Sequence, residues 1–182
     1  MTAAVHRLFI ALTPDQETRQ ALMRLRARTV SHLNEIRWIP RDNWHVTLHF
    51  LGACPPRLKD RLAQEFSAQS GDFTSLLLTG RQLQGFPHEQ RPGRVWALSL
   101  EHDQALAQWH ARLGRWLEPL GVSVETRALK AHITLARSQK VRHWPVRAAP
   151  LTCCFDRLAL YESVATPQGP IYQSLSAAGT SA

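Results

Sequence analysis

The sequence predicts an α+β fold whose sheets are mainly antiparallel. Three observations lead there. Strand-like segments outnumber helical ones, and the helices punctuate the strands rather than alternating with them one for one. Over 182 residues, 44% are hydrophobic, enough to bury one core. Two stretches are nearly identical, His45-Val46-Thr47-Leu48 and His132-Ile133-Thr134-Leu135, one in each half and 87 positions apart (45 to 132). This repeat predicts a pseudo-symmetric pair of lobes within a single domain over 1–182, with a small polar tail at 177–182 expected to fray.

The elements follow in order. Arg7 to Leu12 is an apolar run of strand length, ended by Thr13-Pro14. Thr13 is expected to cap a helix with Pro14 at its first position and Gln16 three residues past the cap. That helix carries Leu22, Leu25 and Val30 on one face and arginines on the other. Ile36 to Ile39 is a short strand, and Arg41-Asp42-Asn43 is a turn cluster. Trp44 to Leu51 alternates in strand fashion up to Gly52. Pro55-Pro56 opens a second helix with Leu58, Leu62 and Phe66 inward. Phe73 to Leu83 and Arg94 to Leu100 read as strands around a polar loop, His88 to Gly93. Asp103 to Leu120 is helical, with Leu106, Trp109, Leu113, Trp116 and Leu117 at helical spacing. Val122 to Val124 is short and β-like. His132 to Ala136, Leu151 to Ser163 and Ile171 to Leu175 complete the strands.

The charge balance is +8, from 22 Lys+Arg against 14 Asp+Glu, with a sequence pI of about 10.4. Only Lys59, Lys130 and Lys140 are lysines, so the excess is arginine. Guanidinium pairs with phosphate in bidentate fashion, which leans toward nucleotide or RNA partners. The three cysteines, Cys54 and the vicinal Cys153 and Cys154, make a poor disulfide framework and show no zinc spacing. Both facts fit a reducing cytoplasm. The apolar run near the start is too short for a membrane span or a signal-peptide core.

The chemistry lies in the repeat. In an extended strand, residues i and i+2 point to the same face. Each stretch therefore offers an imidazole beside a hydroxyl. Cutting a phosphate ester without a metal needs one group to take a proton from water and another to give one to the leaving oxygen. Histidine titrates near neutrality and does either. Hydroxyl and guanidinium donors stabilise the charge that gathers on the non-bridging oxygens in the transition state. Arg137 lies on the opposite parity from His132 along a straight strand, so it reaches the same phosphate only if the strand bends. Phe50 has opposite parity from His45 for the same reason.

Competing readings weigh less. His45 and His49 have helical metal-ligand spacing, but in a strand they stand roughly 13 Å apart, too far to share an ion. His49 is expected at the cleft edge or surface, facing the same way as His45. Trp38, Trp44 and Phe50 bracket the first motif and are candidates for stacking a base. His6, His32, His88, His102, His110 and His143 have no partner motif and read as surface residues. No glycine-rich phosphate loop is visible, so ATP has no support in the sequence, and no cofactor is expected.

At this point the chain resembles a known family. The paired His-x-Thr motifs, with their flanks, resemble the 2H phosphoesterase superfamily. Within it they resemble the RNA 2′,3′-cyclic phosphodiesterase (2′-5′ RNA ligase) family. The resemblance covers Arg7 to Leu12, Trp44 to Gly52, Gly85-Phe86-Pro87 and His132 to Arg137. It extends to Tyr161-Glu162-Ser163 and Gly169-Pro170-Ile171-Tyr172. It implies two lobes with the site in the cleft between them, His45 and His132 as proton carriers, and Thr47 and Thr134 on the phosphate. It places Arg137 as a phosphate contact and Phe50 near the bound nucleotide. Two residues depart from the family pattern: Ala131, where proline is common, and Trp44, where an aliphatic residue is common and which is expected to alter the cleft wall.

The expectation is then a monomeric phosphodiesterase opening a terminal 2′,3′-cyclic phosphate on RNA to a 2′-phosphate, with no metal, ATP or membrane involved. His132 is assigned as proton acceptor and His45 as proton donor. The same site run backward is a 2′-5′ RNA ligase. A degenerate RNA-end binding protein is the reading outside enzymology.

Overall fold

The computed structural model describes residues 5–29, 35–88, 90–125, 128–167 and 169–179. Val30 and His32, assigned from sequence to a helix face and to the surface, lie outside the described residues. So do Glu89 in the predicted loop and residues 180–182 of the tail.

Strand β1 (His6–Pro14) buries Leu8 through Leu12 without a break. A strand apolar on both faces belongs inside a sheet, and β1 pairs with β3 (Val46–Cys54) on one edge and β7 (Arg147–Val164) on the other. The remaining strands are β2 (Ile36–Trp38), β4 (Leu76–Phe86), β5 (Gly93–Leu100), β6 (His132–Arg142) and β8 (Ile171–Gly179). All pairings are antiparallel, in the order β2-β6-β5-β4-β7-β1-β3, with β8 also on β7.

The α+β class and antiparallel pairing match the sequence reading. The expected two sheets are two wings of one continuous ladder. The joint is β7, which is 18 residues long. Its first part pairs with β4 and its second with β1 and β8. One wing carries His45 at the entry to β3, and the other carries His132 at the start of β6.

Helices cover the wings. Helix α1 (Gln16–Ala27) is capped by Asp15, whose carboxylate accepts from the Thr18 N–H at 2.7 Å. The expected cap, Thr13, instead stays in β1, its hydroxyl 2.6 Å from that of Tyr161. Helix α2 (Pro56–Ser70) starts at its proline as predicted and buries Leu62 and Phe66. Helix α3 (Gln104–Leu117) is capped by Asp103 and buries Leu106, Leu113 and Leu117. A 3₁₀ turn and Gly121 at φ 75° end it.

Two expectations fail. Val122 to Val124 forms no strand, although Val122 is buried. The tail does not fray at 177: β8 runs through Ala177 and Ala178 to Gly179, paired with β7 back to Arg157. The small polar side chains gave no apolar signal there, but the free edge of β7 supplies the backbone partners. No helix among the described residues is long and apolar enough to cross a membrane.

Candidate active site

His45 and His132 are held by the same device. His45 Nδ1 lies 2.7 Å from the carbonyl oxygen of Asn43, and His132 Nδ1 lies 2.8 Å from that of Lys130. A carbonyl only accepts, so each Nδ1 carries the proton and donates. The Nε2 of each neutral ring is then the basic nitrogen, left for chemistry.

Thr47 and Thr134 follow two residues later, and neither hydroxyl is engaged by another group among the described residues. Opposite them stand Ala11 and Ala97, small residues that leave the threonines room. The ladder then skips a residue in both wings. On β3, Thr47 faces Ala11 and His49 faces Ile10, leaving Leu48 unmatched. On β6, Thr134 faces Ala97 and Ala136 faces Trp96, leaving Leu135 unmatched. Each is a β-bulge, which bends the strand and reverses the parity beyond it.

This reversal brings Phe50 and Arg137 onto the cleft face, each five residues after its histidine. The bend that Arg137 required is therefore present. The cleft, of about 180 Å³, is lined by both histidines, both threonines, Phe50 and Arg137. Phe9, Ile39, Asn43, Ser163 and Tyr172 complete it. All six site residues assigned from sequence are thus brought together.

The same bulge overturns the placement of His49. It is 3% exposed, turned away from His45 and stacked on His110 with ring centroids 4.3 Å apart. Its Nε2 lies 2.8 Å from the His110 carbonyl oxygen, and its Nδ1 has no hydrogen-bond partner among the described residues. His110 is accordingly half-buried rather than a surface residue. So is His6, whose Nδ1 lies 2.5 Å from Glu162, beside Lys59. Trp44 is wholly buried and forms no cleft wall, and Trp38 packs edge-on to Trp96 beneath Arg26. Neither tryptophan is placed to stack a base, whereas Phe50 is 57% exposed. Among the described residues no group of three or more His, Cys, Asp or Glu could hold a metal ion.

Aromatic rings seat both imidazoles. Phe86 stacks on His132 at 3.6 Å between centroids. Phe9 and Tyr172 lie 5.2 Å from His45, the tyrosine edge-on. The Asn43 side chain donates to the Pro170 carbonyl at 2.9 Å, tying the segment that carries Tyr172 to the turn that fixes His45. Asn43, Ser163 and Tyr172 carry no role in the sequence reading. They come from three separate segments, and only proximity unites them.

Burial pushes His45 down to about 4, against the opposing hydrogen bond to Asn43, and the charges of His132 and Arg137 push it the same way. Burial also lowers His132, offset by its bond to Lys130 and reinforced by Arg137. His45 thus feels charges from the opposite arm, whereas the charge that His132 feels comes from Arg137 on its own strand. Burial raises the Cys153 thiol to about 12 and lifts Cys154 as well, so neither is an activated nucleophile. A larger groove, about 880 Å³, lies beyond Phe86 and contains neither histidine of the pair.

Comparison with known proteins agrees with this geometry. The family described as LigT like Phosphoesterase matches residues 12–96, the span holding the first His-x-Thr pair. An RNA 2′,3′-cyclic phosphodiesterase of Thermotoga maritima is 26% identical over 178 residues, covering 93% of this chain and 92% of that protein. One from Aeropyrum pernix is 28% identical over 143 residues, covering 74% and 80%. The crystal structure of TT0787 of Thermus thermophilus superposes with a TM-score of 0.77 at 24% identity, over 94% of this chain and 96% of that one. E. coli LigT complexed with 3′-AMP gives 0.74 at 23% identity, over 96% and 97%. With the repeated His-x-Thr arms meeting in one cleft, the chain is similar in sequence to the LigT-like phosphoesterases and shares the fold of their solved structures.

Proposed function

We propose that this chain is a monomeric cytoplasmic enzyme that hydrolyses a 2′,3′-cyclic phosphate at an RNA end to a 2′-phosphate, using two histidines and no metal. The observation that carries the proposal is the matched pair of carbonyl-anchored imidazoles, each with its Nε2 available, in one phosphate-sized cleft. The relatives named RNA 2′,3′-cyclic phosphodiesterase supply the substrate class.

In the proposed reaction, His132 Nε2 takes a proton from water as the water oxygen bonds to phosphorus. The bond from phosphorus to O3′ breaks, and His45 Nε2–H delivers a proton to that oxygen. The products are a 2′-phosphate and a 3′-hydroxyl, with the histidine protonation states exchanged until solvent resets them. Thr47, Thr134 and Arg137 donate to the non-bridging oxygens as charge builds there. His45 must be protonated to act as the acid, yet the protein alone holds it near 4. The negative charge of the bound cyclic phosphate works in the opposite direction and raises it. With a 5′-hydroxyl in place of water as the nucleophile, the same steps in the same direction form a 2′-5′ linkage and free the 3′-hydroxyl. The high concentration of water favours hydrolysis.

The test is product analysis on an oligonucleotide ending in a 2′,3′-cyclic phosphate, in excess EDTA. The expected product is the 2′-phosphate, formed at the rate seen without chelator. Loss of turnover in EDTA, a 3′-phosphate product, or predominant ligation would each overturn the reading.

A further inference from the structure

The register of β2 on β6 sets Arg37 directly opposite Arg137. Residues opposite one another in a ladder share a face, with Cβ atoms about 4.5–5.5 Å apart. Arg137 lines the cleft, so Arg37 stands on the cleft side one strand farther out. Like charges in this position destabilise a sheet. Here neither guanidinium has an acidic or hydrogen-bonding partner among the described residues. Glu35, the nearest acid along β2, is paired with Lys140 at 3.3 Å.

The Arg37 guanidinium also rests against Gly169. A Cβ at that position would come within 2.6 Å of Arg37 Nη1, and Gly169 has φ 121°, a conformation that favours glycine. Gly169 lies three residues before Tyr172, the ring packed edge-on to His45. Burial raises the Tyr172 hydroxyl, and the charges of Arg137 and Arg37 both lower it, so both cations bear on the same group. Arg37, Arg137 and Tyr172 thus converge at the mouth of a cleft of about 180 Å³, too small to enclose an RNA chain.

We infer that Arg37 and Tyr172 form a second phosphate subsite, which takes the phosphodiester on the 5′ side of the terminal nucleotide. An anion there relieves the repulsion between the facing arginines and meets the bidentate fork of Arg37. The substrate class is therefore an oligonucleotide end in preference to a cyclic mononucleotide. This deepens the proposed cyclic phosphodiesterase reading and rests on it.

The experiment compares the dinucleotide ApA ending in a 2′,3′-cyclic phosphate with 2′,3′-cyclic AMP, using the intact chain. In the wild type, kcat/KM should favour the dinucleotide by about 10- to 100-fold, the effect of one charge-assisted hydrogen-bonded contact. Arg37→Gln should bring that ratio close to one, and Arg37→Lys should restore part of it. A dinucleotide with an uncharged methylphosphonate linkage should lose the preference in the wild type, which tests the idea even if the variants fail to fold. A wild-type ratio near one, an unchanged ratio in a folded Arg37→Gln, or a retained preference for methylphosphonate would overturn the subsite. Absence of turnover on both substrates would overturn the parent reading instead. Calorimetry with 2′-phosphorylated ApA and 2′-AMP then decides the subsite, with tighter dinucleotide binding supporting it and equal Kd values overturning it.

Discussion

The two His-x-Thr arms are built alike as far as their bulges and differ beyond them. In both, a backbone carbonyl two residues upstream accepts the Nδ1–H hydrogen bond, a threonine follows on the same face, and a leucine is skipped in the ladder. The residue then delivered to the cleft is Phe50 in one arm and Arg137 in the other. One backbone device presents an apolar ring on one side of the site and a cation on the other. The two protein environments also differ in charge. His45 feels both His132 and Arg137, whereas Arg137 is the charge that bears on His132. In the proposed reaction, near-symmetry supplies two proton carriers, and the asymmetry at the fifth position separates the phosphate side from the nucleoside side.

The severest test of this likeness removes each imidazole in turn. His45→Ala and His132→Ala should each lose on the order of 10²- to 10⁴-fold in kcat, the range for a general acid or base. Steady-state rates on the cyclic-phosphate oligonucleotide read this directly. A variant retaining near-wild-type turnover would mean that its arm carries no proton.

The fifth position is the next test. Arg137→Gln removes charge stabilisation of the transition state and should cost about 10²-fold in kcat, by analogy with loss of one oxyanion donor. Phe50→Ala removes apolar contact with the nucleoside and should act mainly on KM, by about tenfold or less. If the two variants show the same split between kcat and KM, the proposed division of labour is wrong.

The smallest effects are those of pH. A base must be neutral, so activity falls as pH drops through its pKa. An acid must be protonated, so activity falls as pH rises through its own. Both histidines lie below the ordinary 6.5 in the free protein. The bell in kcat/KM should therefore peak on the acid side of 6.5, and its alkaline limb should move upward in kcat, where bound phosphate raises the acid. Stability follows the same sign. With His45 at about 4 folded and 6.5 unfolded, its contribution is fully present above 6.5 and is lost as pH falls toward 4. His45→Gln should reduce the loss of stability between pH 7 and 5 by on the order of 1–2 kcal/mol, read from urea melts. An equal loss in wild type and variant would show that burial does not depress His45.

Much of this was legible locally. The continuous apolar run at Leu8–Leu12 marks an interior strand, and the Leu106, Leu113 and Leu117 spacing marks a helix face. The His-x-Thr pattern places imidazole and hydroxyl side by side through strand periodicity alone. Other features were not local. Thr13 looks like a helix cap until its hydroxyl is seen bonded to Tyr161, 148 residues away. Ala177 and Ala178 look like a loose end until β7 offers its edge. Asn43, Ser163 and Tyr172 have no shared sequence pattern, because three unrelated segments carry them.

By itself, then, the sequence determined the fold class and the two imidazoles with the threonines beside them, since these depend on composition and on the two-residue period of a strand. Tertiary structure alone decided that Phe50 and Arg137 face the cleft while His49 is buried. A bulge exists only relative to the partner strand. The residues Leu48 and Leu135 are unremarked apolar positions until the registers of β1 and β5 leave each without a mate and reverse the face of the residues just beyond, through Phe50 and Arg137.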